Sequence, residues 1–207
     1  MNDTRRRMYA RASKEALLEC ARECFSTLGY EATTVAEITT RAELSKGAFY
    51  RHFTDKRAAF IELFIERLEV ASELIRAGER DLAGLPRGEG LMVAARVATD
   101  FASMSISDPV HRELLRQAPE VLGADVYEEI DNEHVLAHLV SFFAALDARS
   151  ELAEGLPLTT LGNLFLRVLC AGNTLVSGAE NQEAVLAEVL HSLSVFFVGV
   201  TAQDLRF

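Results

Sequence analysis

The sequence predicts an all-α protein built as a small N-terminal three-helix unit, a long linking helix and a larger C-terminal helical bundle. Three observations lead there. Apolar residues recur with a helical period nearly everywhere, and no window alternates convincingly with period two. Only four prolines interrupt 207 residues, so breaks are few. The charge also changes sign along the chain. Residues 1–62 carry eleven Lys and Arg against nine Asp and Glu, whereas the rest carries ten against twenty-two, within a net charge of −10. That split suggests two jobs, with the N-terminal part facing an anionic partner.

Each helix has its own local cause. Residues 1–12, with Arg5, Arg6, Arg7 and Arg11, are expected to be a basic arm. A first helix is expected from about Ser13 to Leu28, with Leu17, Ala21, Cys24, Phe25 and Leu28 on one stripe, and Gly29 ends it as a left-handed cap. Thr34-Val35-Ala36-Glu37 has capping-box spacing and opens a second helix that ends near Ala42. Ser45 can cap a third through Phe53, and Thr54-Asp55 can open a fourth. The fourth runs to about Leu82 and stops at Gly84-Leu85-Pro86-Arg87-Gly88. Further helices are expected over 90–106, 109–117, 125–148, 158–177 and 181–198, with Pro119 closing the short one. The expected divisions are an arm over 1–12, a small domain over 13–62 and a bundle over 63–207.

Other classes are set aside by what the sequence lacks. No run of eighteen uncharged apolar residues occurs, so no membrane span is expected. The start Met1-Asn2-Asp3-Thr4-Arg5-Arg6-Arg7 has no apolar stretch of signal-peptide type, and a cytoplasmic protein is expected. Three cysteines (Cys20, Cys24 and Cys170) suit small buried side chains better than a disulfide framework. No glycine-rich phosphate loop or nucleophile–base pairing argues for an enzyme, and no cofactor is expected.

Residues 34–53 form two short helices around the turn Glu43-Leu44-Ser45. This is helix-turn-helix spacing, in which the second helix enters the major groove of double-stranded DNA. Lys46, Gly47 and Ala48 head that helix: the small residues let the backbone approach base edges, and Lys46 can donate to guanine acceptors. Tyr50, Arg51, His52 and Lys56 add aromatic and cationic groups suited to phosphate contacts. Phe49 and Phe53, four apart, hold this helix to the first one.

The chain here resembles the TetR family of transcriptional regulators. The stretches that carry the resemblance are Leu17-Leu18-Glu19-Cys20-Ala21, Cys24-Phe25, Gly29-Tyr30, Thr33-Thr34-Val35, Ile38, Leu44 through Phe53, and Asp55-Lys56. They lie within residues 13–62, under a third of the chain. The resemblance implies that Lys46, Gly47, Ala48 and Tyr50 face bases while Thr34, Arg51, His52 and Lys56 grip phosphates. Two positions depart from the family pattern: Glu43 stands where glycine is usual, and Thr39 where alanine is usual.

The resemblance further implies a C-terminal bundle that binds a small-molecule effector and dimerises through its last two helices. Both helices are apolar on more than one narrow stripe, which a peripheral helix of a monomer cannot bury. Phe165, Leu169, Val189, Leu193 and Phe196 are the expected homodimer contacts. For the effector, Phe101, Met104, His134, His138 and Phe142 combine apolar walls with a few polar groups, as a ligand cavity needs. The same histidines also read as satisfied core or surface groups. A lesser alternative is a divalent metal held by Asp131, His134 and His138, which have spacings of three and four. The functional expectation is a ligand-responsive repressor that binds a palindromic operator as a dimer. A protein-binding helical adaptor and a ligand-independent activator or architectural DNA-binding protein are the alternatives.

Overall fold

The computed structural model describes residues 2–200, save the side chains of residues 2–4 and of Ser105; Met1 and residues 201–207 lie outside it. The elements in chain order are α1 (Asn2–Leu28), α2 (Val35–Arg41), α3 (Lys46–Phe49), α4 (Lys56–Leu82), α5 (Gly90–Ser107), α6 (Pro109–Leu122), α7 (Ala124–Asp131), a π-helical turn (Asn132–Leu136), α8 (Ala137–Ala148), α9 (Leu158–Gly178) and α10 (Gln182–Gly199). They divide into two compact units, one of Met1–Glu66 with Pro109–Tyr127, the other of Arg67–Asp108 with Glu128–Phe207. The domain boundary expected at 62 therefore shifts slightly, and the first unit also takes α6, which carries no local mark of belonging there.

In the first unit the expected stripe of α1 forms the core. Leu17, Ala21, Cys24 and Phe25 are fully buried, together with Ile38, Phe49, Phe60 and Phe64. Burying each large side chain contributes about 1.5–3 kcal/mol. Leu28, expected on the same stripe, is instead exposed at the helix end. Phe25 meets Phe60 edge-on at 5.4 Å, and Tyr30 meets Phe60 in the same manner at 5.4 Å. The helix does not start at Ser13: it is continuous from Asn2, so residues 2–12 are helical where an arm was expected.

α6 also runs further than expected. It continues through Pro119 to Leu122, because burial of Ala118 and Leu122 outweighs the missing proline N–H. Gly123, at φ +77°, ends it. Arg57 donates to the carbonyls of Val121 at 3.2 Å and Leu122 at 2.8 Å, which satisfies the helix end.

The second unit packs α5, α8, α9 and α10 around Phe142, Phe143, Phe165 and Phe197. Phe165 is the hub, 5.5 Å from Phe143 and 5.2 Å from Phe197 between ring centres. Close approaches favour glycine at three positions: a Cβ on Gly78 would crowd Val97, one on Gly90 would crowd Glu151 and Leu146, and one on Gly172 would lie 2.9 Å from Val189. The single helix expected over 125–148 is interrupted by the π turn, which inserts an extra residue and re-phases the side chains beyond it.

Candidate nucleic-acid interface

The two short helices are capped as their sequences require. Thr34 Oγ1 accepts from the Glu37 amide at 3.1 Å, and Ser45 Oγ accepts from the Ala48 amide at 3.1 Å. The other half of the expected capping box is differently used, since the Glu37 carboxylate faces Arg41 at 3.5 Å. Between the helices the chain reverses at Glu43, whose φ is +54°. The Glu43 amide donates to Thr40 O at 3.2 Å and the Leu44 amide to Thr39 O at 2.9 Å, closing the turn. The left-handed geometry expected of a usual glycine is thus kept by a glutamate, at a cost of about 1–2 kcal/mol. Thr39 is buried, and its hydroxyl is satisfied by Val35 O at 2.9 Å and Ala36 O at 3.1 Å.

α3 is only four residues long, and it sorts its side chains sharply. Phe49 and Phe53 are sunk into the unit, 5.2 Å apart between ring centres. Lys46, Gly47, Tyr50 and Arg51 are exposed, with Tyr50 keeping 57% of its surface in solvent. Ala48 is half-buried. A large aromatic left in water beside two cations and a glycine is unexplained by packing and suits a polar partner surface.

Two residues expected on phosphates are already engaged. His52 Nε2 lies 2.9 Å from Ser13 Oγ and ties the end of this segment to α1. Lys56 Nζ donates to Tyr30 O at 2.6 Å, Glu31 O at 3.4 Å and Thr33 O at 2.9 Å, and stands 4.1 Å from the centre of the Tyr30 ring. Its ammonium clasps the loop that leads into α2. Thr34, by contrast, is exposed at the α2 N-terminus.

One contributor escapes sequence reading altogether. Gln117 of α6 is buried and donates from Nε2 to Phe25 O at 3.0 Å, while its Oε1 accepts from the Tyr30 amide. Its partners lie about ninety residues earlier, so no local pattern could reveal the contact.

Comparison with known proteins agrees with this geometry. The profile for "Bacterial regulatory proteins, tetR family" matches residues 17–63. The HTH-type transcriptional repressor AcnR of Corynebacterium efficiens is 29% identical over 86% of this chain and 88% of its own length. The regulator YerO of Bacillus subtilis is 35% identical, but the match covers 38% of this chain and 27% of that protein. A TetR-family regulator of Pectobacterium atrosepticum has the same fold, with a TM-score of 0.76, 21% identity, and 95% of this chain and 98% of that one covered. Over residues 17–63 the chain is that of a TetR-family regulator.

In the second unit the five expected effector residues have different surroundings. Phe101 and Phe142 are buried core and Met104 is half-buried. His134 Nδ1 instead lies 3.1 Å from the Glu69 carboxylate, and His138 Nε2 is 3.5 Å from Arg76, both on α4. Asp131 turns the other way: it is buried, accepts from the Cys170 thiol at 3.0 Å and lies 3.6 Å from Arg167 on α9. The π turn is the physical reason, because it breaks the three-and-four register on which a shared face depended. Among the described residues no group of three metal-ligating side chains converges, so the Asp131, His134 and His138 alternative is not supported.

The residues expected at a dimer interface need a similar correction. Phe165, Leu169, Val189 and Leu193 are buried within this chain's own fold, and Phe196 is half-buried, 5.4 Å from Phe165 between ring centres. The apolar side chains that these two helices leave in solvent are others. Leu164, Val168 and Leu175 of α9 and Val195 and Val198 of α10 are exposed. α10 is long and apolar enough, by length and composition alone, to cross a membrane, with a mean hydropathy of 1.2 over Gln182–Gly199 and 17% of that window buried. Its apolarity comes from having two such stripes, and Glu183 and Glu188 also lie on it.

Proposed function

We propose that the protein is a ligand-responsive transcriptional repressor that works in the cytoplasm and binds a palindromic operator in double-stranded DNA as a homodimer. The exposure of Lys46, Gly47, Tyr50 and Arg51 on a segment anchored by Phe49 and Phe53 carries this reading. α3 enters the major groove, where Lys46 and Tyr50 meet base edges and Gly47 allows close backbone approach. Arg51 and Thr34 contact phosphates on either side. His52 and Lys56 act one step back by fixing α1 and the loop before α2.

Two copies meet through the outer stripes of α9 and α10, giving a four-helix interface and two reading heads one helical turn or more apart. A small-molecule effector bound in the second unit shifts the dimer toward a spacing that no longer fits the operator, a coupling of about 1–3 kcal/mol. The test is selection of bound duplexes from random DNA, followed by titration of the selected site. Lys46→Ala with Tyr50→Ala is expected to abolish preference for that duplex. Equal binding of wild type and variant to selected and scrambled DNA overturns the reading in favour of a protein-binding helical pair.

A further inference from the structure

We propose that the first turns of α1 form a second DNA-contacting element, in which Arg5, Arg6 and Tyr9 grip backbone phosphates beside the base-reading segment. This rests on the DNA-binding reading above. α1 is helical from Asn2, yet among its described side chains the first buried one is Leu17, so the fold itself does not call for the turns from Arg5 onward. Residues 5–12 are all exposed, including Tyr9 at 64%. The segment 1–14 holds five cations and one acidic residue, Asp3.

This helix is also aimed. Ser13 Oγ meets His52 at the end of the reading segment, and Lys14 pairs with Glu62 at 2.6 Å, which anchors α1 there. At 100° per residue, Arg6 and Tyr9 share the face of Ser13. The Arg5 guanidinium lies 5.8 Å from the centre of the Tyr9 ring on the same side. Seven residues of helix place Arg6 about 10 Å along the axis from Ser13, comparable with a major-groove width of about 12 Å. That distance sets Arg6 and Tyr9 at the neighbouring phosphate ridge. A helix about 10 Å across cannot enter a minor groove about 6 Å wide, so this element touches backbone and reads no bases. Being already helical, it incurs little ordering cost on binding.

The experiment titrates the full chain with a selected duplex between 50 and 200 mM salt, comparing wild type with Arg5→Ala/Arg6→Ala/Tyr9→Ala. The variant is expected to bind about tenfold more weakly, with the salt slope reduced by about 0.9 for each arginine–phosphate pair removed in each subunit. The weakening should be the same on scrambled duplex, as phosphate contacts require. Arg5→Lys/Arg6→Lys should recover most of it, and trimming the flanking base pairs should erase the difference between wild type and variant. Unchanged affinity and slope in the triple variant overturn the proposal while leaving the DNA-binding reading intact, as does a change in base preference. Failure of the wild type to bind any duplex sinks both.

Discussion

Gln117 and Tyr30, far apart in sequence, are joined by a bond from the Tyr30 amide to the Gln117 side-chain oxygen. The same side chain donates to Phe25 O, so one amide group closes the end of α1 and holds the loop that leads to α2. Gln117→Leu leaves the half-buried Tyr30 N–H and the buried Phe25 carbonyl without these partners, a loss of roughly 1–3 kcal/mol. Thermal melting should show the destabilisation, and the Tyr30 amide should exchange faster in deuterium. Wild-type exchange at Tyr30 would mean the bond does not hold the loop.

The two lysines of this region are expected to separate cleanly. Lys46 is exposed on α3, whereas Lys56 is wrapped by three carbonyls. Lys46→Ala should weaken DNA binding with little change in melting temperature. Lys56→Met should lower stability by about 1.5–3 kcal/mol, the range for hydrogen bonds to a charged group. Lys56→Arg should rescue poorly, because a planar fork does not match three converging acceptors. Paired melts and DNA titrations on the three variants check this.

Glu43 keeps a backbone conformation that suits glycine. Glu43→Gly should therefore raise stability by about 0.5–1 kcal/mol, since relief of the left-handed strain is partly offset by glycine's greater freedom in the unfolded chain. It also removes a negative charge beside α3, so DNA affinity should rise, most strongly at low salt. Chemical denaturation and titration at two ionic strengths measure both effects.

The outer stripe of α9 and α10 gives a test of assembly. Leu164→Asp with Val195→Asp places charges at exposed positions and should yield a folded monomer in sedimentation velocity. Phe165→Ala, in contrast, empties a buried site and should cost about 3–5 kcal/mol of stability. Persistence of the dimer in the double variant would move the interface elsewhere.

Two buried carboxyls predict opposite pH responses. Burial acts to raise Glu151, but bonds from the Gly88 amide, Arg149 and the Gly90 amide prevail and hold it below the usual carboxylate range. Its stabilisation is present above that range and is lost as pH falls through the depressed value. Burial raises Asp131, opposed by the Cys170 hydrogen bond and by Arg167. Its contribution is present at low pH and is lost as pH rises through the raised value. Melting curves across pH should therefore show Glu151→Gln most deficient near neutrality, with the deficit fading in acid. Asp131→Asn should gain relative to wild type as pH rises.

What is legible in the sequence follows local rules. Thr34, Ser45 and Gly29 mark their helix ends because caps and left-handed positions demand particular side chains. Phe49 and Phe53 are readable as anchors because helical spacing puts them on one side. The misplacements arise where a second element decides the outcome. Lys56 looks like a free cation until the carbonyls of residues 30, 31 and 33 are brought to it. Asp131 and His134 look like neighbours until the π turn rotates them apart. On α9 the period reveals two apolar stripes but not which belongs to the chain's own core, so Phe165 and Leu169 read as partner-facing although they are buried within the chain.

In the proposed dimer, the outward valines and leucines of α9 and α10 also make persistence of the folded chain a question of abundance. Hydrocarbon shielded only by a twin obeys mass action, so the midpoint of melting climbs with concentration. A scarce copy stays solitary and is the more readily opened and degraded. Through those few side chains, dosage and durability become one variable.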